Sequence, residues 1–197
     1  MNAMAVRYGA SPPRRADLPK AFTLGEFVRG ALTAFLVFQP MGMVIAFVSG
    51  AIVPWGLPPG STSNIWAAAL SFGAIGLIFG AVYGLPFSVA ALLVGAPFAY
   101  LLGLVLRRVR ADAVHLIGFA LFGLVLGLLT MTAADIAIGS IGGSGLQLPD
   151  LSDMPHDLAF YCASGVAVAL GRLAALRNAR KTDAVLLGLR HMAERPE

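Results

Sequence analysis

The sequence predicts an all-α integral membrane protein, a polytopic bundle of apolar helices. Three observations carry this. Hydrophobic residues make up 58% of the 197-residue chain and charged residues 12%, about half the charged share of an ordinary soluble domain. Residues 30–106, between Arg29 and Arg107, form 77 consecutive positions without Asp, Glu, Lys, Arg or His. A soluble domain of this size has too little interior to hide so much uncharged chain. The basic residues are also clustered: Arg7 to Arg29, Arg107 to Arg110, and Arg172 to Arg195. Basic clusters beside apolar stretches read as orientation signals and lipid-headgroup contacts. A plain soluble enzyme and a nucleic-acid binder are excluded, the latter because no basic face carries stacking aromatics. Arg supplies 12 of the 14 positive charges and Ala and Gly abound. That usage suits a GC-rich bacterial genome, and with it the bacterial cytoplasmic (inner) membrane.

Residues 1–22 read as a flexible basic tail, and 23–180 as the transmembrane domain. Thr23 to Glu26 matches a capping box, in which hydroxyl and carboxylate each accept a backbone N–H. A helix therefore starts near Leu24 and runs through the first apolar segment, 27–53. Gln39-Pro40 interrupts its middle, where proline cannot donate to the carbonyl four residues back, and a kink is expected. Residues 54–61 are loop-like, rich in Pro and Gly, and Trp55 and Trp66 flank that loop as interfacial rings do. The next apolar run, 66–106, is about twice one span. Gly84-Leu85-Pro86 divides it, so a tight hairpin of segments 66–83 and 87–106 is expected. A basic turn, Arg107 to Asp112, precedes a fourth segment, 113–138. A Gly-rich stretch and an acidic loop follow, with Asp153 as the cap of a fifth segment, 156–176, and Pro155 in its first turn. Arg172 is expected to snorkel toward the headgroups. Residues 181–197 read as an amphipathic tail on the membrane surface.

Five full crossings conflict with the charges. The positive-inside rule asks that all three basic clusters face the cytoplasm, yet three segments between Arg29 and Arg107 place them on opposite sides. Four spans plus one re-entrant segment, within 27–55 or within 66–106, are the alternative. The Arg107–Arg110 turn and the C-terminus are expected in the cytoplasm under either reading. The side of the N-terminus stays open.

Small residues recur every fourth position: Gly42, Ala46 and Gly50; Gly76, Gly80 and Gly84; Ala91, Gly95, Ala99 and Gly103; Gly123 and Gly127; Ala163, Ala167, Gly171 and Ala175. In a helix such positions share a face and allow close backbone approach. They serve packing within the bundle, a homo-oligomer, or docking to a larger membrane complex. Fragments 72–80 and 119–127 share Phe, Gly, Leu and Gly at matching places, which an apolar background produces by chance more readily than an internal repeat does. Gln39, beside Pro40, is the deepest strong polar group, a candidate intramembrane solute site or an interhelical hydrogen bond. Asp135 is either a buried proton or cation carrier or an interfacial carboxylate. Asp150, Asp153, His156 and Asp157 fit no recognised cation loop. Glu26 and Arg29 can pair along one helix face. Cys162, the single cysteine, reads as a small packed side chain. Ser, Cys and His form no triad, and no cofactor or metal is implied.

The expected function is therefore non-catalytic. The reading is a multi-pass scaffold or accessory subunit, held in the lipid bilayer and packing through small-residue faces. The alternative is a small-solute transporter or substrate-binding membrane subunit with a site near Gln39-Pro40.

Overall fold

The computed structural model describes residues 23–141, apart from 59 and 62, and residues 154–193; side chains at 138–156 and 182–193 lie outside that description. All regular structure among them is helical: α1 (Leu24–Ile52), α2 (Ile65–Phe79), α3 (Leu85–Leu106), α4 (Asp112–Ile141) and α5 (Met154–Ala193), with a 3-10 turn at Val53–Gly56 and a π-helical turn at Gly80–Gly84. Four stretches are long and apolar enough to cross a membrane: Leu24–Gly56, Ile65–Leu106, Asp112–Ala137 and Asp157–Lys181.

Local chemistry accounts for the starts. Thr23 and Glu26 form the capping box, with N–H to side-chain distances of 2.9 and 3.2 Å. Asn64 caps α2, its side-chain oxygen accepting from Trp66 and Ala67 N–H. Between them the chain turns at Gly60, whose φ of 86° suits glycine. Trp55 and Trp66 meet edge to face across this turn, ring centroids 5.3 Å apart. Pro40 sits inside α1 without interrupting it.

The expected hairpin at Gly84-Leu85-Pro86 is replaced by a π-helical turn, and Ile65–Leu106 is one helical run of 42 residues. The physical reason is backbone satisfaction. A reversal there would strip several N–H and C=O groups of partners, and the three residues offer no polar side chain to replace them. One wide turn absorbs Pro86, which lacks an N–H, and keeps the rest of the ladder bonded. The run is about 63 Å long at ~1.5 Å per residue, twice the ~30 Å hydrocarbon thickness. Likewise α5 continues unbroken to Ala193, so the stretch from 181 is an extension of that helix rather than a separate one. The tail 1–22 lies outside the described residues.

The close approaches run antiparallel. Gly50 meets Phe72 and Gly76 meets Ala46 between α1 and α2; Gly123 meets Ser164 and Gly127 meets Tyr161 between α4 and α5; Gly30 meets Gly171 and Gly42 meets Phe160 between α1 and α5. The four long stretches thus alternate in direction. Phe27 packs edge to face on Tyr100, with centroids 5.4 Å apart, and Asp112 pairs with Arg180. Arg29, the Arg107–Arg110 turn and the Arg172–Lys181 stretch consequently share one end of the bundle. Two helical passes, not three, separate Arg29 from Arg107, and the charge conflict disappears.

Candidate functional site: a cavity along the bundle axis

Four helices form a ring in the order α1, α3, α4, α5. Neighbours touch, while among the described residues neither diagonal pair, α1 with α4 or α3 with α5, makes close backbone contact. The space between them is a half-enclosed cavity of about 290 Å³, near the lower edge of small-molecule sites, about 300–1,000 Å³. Its wall is mostly aromatic and aliphatic, with residues from Phe27 to Met43 on α1, Phe87 to Ala99 on α3, Phe119 to Asp135 on α4 and Phe160 to Ala175 on α5. At ~1.5 Å per residue the α4 part alone spans about 24 Å.

Few polar groups enter this wall. Midway along, Gln39 Nε2 donates to Ser88 Oγ at 2.9 Å. The Ser88 hydroxyl in turn points at the carbonyls of Gly84, 2.7 Å, and Leu85, 3.0 Å. These are the carbonyls bordering the π-helical turn, so the polar pair ties α1 to the irregular place in the long helix. At about the same level the Ser164 hydroxyl donates across helices to Gly123 O at 2.8 Å, and farther from the basic end Thr130 donates within α4 to Leu126 O. Asp135, partly buried, lines the cavity beyond them.

Arg172 lines the basic end. It is 6% exposed, so the expected snorkelling does not occur. Its guanidinium lies over the Phe119 ring, 5.2 Å from the centroid, a cation–π contact favoured by desolvation. Its Nη2 meets Nδ1 of His115 at 3.3 Å, and His115 is fully buried. A guanidinium only donates, so His115 Nδ1 must accept and the imidazole proton resides on Nε2. That nitrogen then donates to Val109 O, 3.0 Å away. The histidine is thereby held as one neutral tautomer, and it couples the buried cation to the basic turn.

Of the candidate polar residues, Gln39 and Asp135 line the cavity, whereas Pro40 faces outward. Ala91, Gly95 and Ala99 line it too, with Leu126 lying over Gly95. Gly103 is buried in α3, Ala163 and Ala167 in α5. Gly76, Gly123, Gly127 and Gly171 lie against other helices of the chain, Gly80 lies under the Ala46 methyl, and Gly84 has nothing within 4 Å. Fragment 72–80 borders α1 while 119–127 borders α5 and the cavity. Cys162 is exposed rather than packed. Asp150 and Asp153 fall outside the described residues, as does the His156 side chain; among the described residues no group of three or more His, Cys, Asp or Glu is placed to hold a metal. Sequence reading missed Ser88, Ser164 and His115 as interior residues. Their signal was faint: single polar residues in apolar runs. No protein-family model, no curated protein and no solved structure matches this chain.

Proposed function

We propose that this chain is a non-catalytic membrane subunit that spans a bacterial inner membrane four times and holds a lipophilic solute in its axial cavity. The observation that carries this reading is the cavity itself, apolar over most of its wall with the Gln39–Ser88 pair at mid-length. Apolar walls with a few placed polar groups are the usual build of a small-molecule site. With Arg29, the Arg107–Arg110 turn and the Arg172–Lys181 stretch at one end, the positive-inside rule puts that end in the cytoplasm. The solute is tested by extracting lipophiles from the purified protein and from Ala91→Phe, which fills the cavity. A lipophile in stoichiometric amount from the wild type and absent from the variant is expected. Equal yields from both would overturn the reading.

The topology is tested by thiol labelling of Ser61→Cys, Leu85→Cys and Arg110→Cys in a Cys162→Ala background. Four spans expect positions 61 and 110 on opposite sides and 85 protected. A hairpin would put 61 and 110 on one side with 85 open on the other.

A scaffold role is the second reading, favoured by one observation. Among the described helices α2 packs against α1 and its own flanking turns only, and Leu70, Ile75, Ile78 and Phe79 on it are exposed. A monomer with no co-purifying partner in mild detergent would count against it.

A further inference from the structure

We propose that the cavity takes a long-chain carboxylate, a single-tailed anionic amphiphile, with its head at Arg172 and its tail running toward mid-bundle. This rests on the cavity reading above and adds the ligand's shape and sign. Shape follows from dimensions. A cavity of about 290 Å³ drawn out over about 24 Å of helix is long and slender, a shape that suits a single hydrocarbon chain. The wall a tail would meet is apolar, with Phe35, Phe38, Leu92 and Phe122 among its residues.

Sign follows from the charge distribution. Among the described residues Arg172 is the cation in the cavity wall, and it stands at the end where Arg29, Arg107, Arg108, Arg110, Arg177 and Arg180 outnumber the carboxylates Glu26 and Asp112. Asp135 stands toward the other end. An anionic head is therefore attracted to the Arg172 end and repelled from the Asp135 end. One guanidinium matches the planar, singly charged carboxylate through paired N–H···O bonds. A phosphate monoester carries more charge and calls for further cations. The fixed His115 tautomer and the Phe119 face hold the guanidinium plane at the cavity wall, which lowers the ordering cost of binding a head there.

The test uses the full chain in nanodiscs with two photoprobes, palmitic acid and hexadecanol, each carrying a terminal diazirine. Crosslinks are mapped by peptide mass spectrometry. Labelling of the cavity face of α4, Phe122 and Leu126, is normalised to its outer face, Leu121 and Leu129. The proposal expects cavity labelling by the acid about tenfold or more above that by the alcohol, the scale of a charge-assisted hydrogen bond. Arg172→Lys, which keeps the charge and loses the planar fork, is expected to reduce that preference and Arg172→Gln to abolish it. Equal cavity labelling by acid and alcohol overturns the carboxylate assignment and leaves the cavity reading standing. Absence of cavity labelling by either probe overturns both. The acid–alcohol comparison in the wild type needs no variant, so it decides the matter even where Arg172→Gln fails to fold.

Discussion

The two halves of the 42-residue helix behave differently against the same partner. α2 lies backbone to backbone on α1: a Cβ added at Gly76 would stand 2.3 Å from Ala46 O, and one at Gly50 would stand 2.4 Å from Phe72 O. α3 stands off from α1, and side chains bridge the gap, Phe27 to Tyr100 and Gln39 to Ser88. Both halves carry small residues every fourth position. On α2 and at the start of the π-helical turn, Gly76 and Gly80 meet small residues of α1, and the helices close up. On α3 the positions Ala91, Gly95 and Ala99 meet the interior of the ring, and the shortfall in volume becomes the cavity. A small-residue stripe thus licenses close packing without compelling it. What opposes the stripe decides whether it yields contact or space.

The contrast can be broken most strongly at Gly76. Gly76→Val forces a side chain into backbone, which cannot rotate away. The expected loss is about 3 kcal/mol or more, read as a large fall in thermal unfolding temperature in detergent. Gly84→Val, eight residues on, has open space around it and should cost far less; equal losses would refute the distinction between the halves. Next comes the polar tie. Gln39→Leu removes the bond to Ser88 and is expected to cost about 1 kcal/mol, by the same measurement, and to leave the α1–α2 contacts intact. Gly95→Ala brings a methyl to 2.7 Å from Leu126 Cδ2. The end of a flexible side chain can move into the cavity, so a change of under about 1 kcal/mol is expected, with a reduced cavity seen as weaker photolabelling. The smallest effect belongs to Asp112→Asn. Its pair with Arg180 is exposed on both sides, and about 0.5 kcal/mol or less is expected, vanishing in high salt.

Several features were legible from residue order because they are local. The capping box at Thr23 and Glu26 needs only residues three apart. The apolar lengths needed only composition, since about twenty apolar residues reach across a bilayer. Gln39 was visible as a polar residue amid apolar neighbours, and it does line the cavity. The hairpin failed because Gly and Pro signal a break in water, where solvent satisfies freed backbone groups; among apolar residues the backbone keeps its bonds and bends instead. Arg172 was misread for a related reason. A lone arginine near a helix end snorkels unless the fold supplies partners, and His115 and Phe119 come from another helix, 57 and 53 residues away.

The sequence by itself determined that this chain is helical, apolar and divided by basic and acidic turns. Those properties depend on hydropathy and on neighbours within a few residues. Only the tertiary structure decided that 66–106 runs as one helix, that Arg29, the Arg107–Arg110 turn and the Arg172–Lys181 stretch share an end, and that Gln39, Ser88 and Arg172 face a common cavity. The physical reason is that hydrophobicity is non-directional. It sets how much of each helix must leave water, while the close approach of particular glycines and the reach of particular donors set which helix lies beside which.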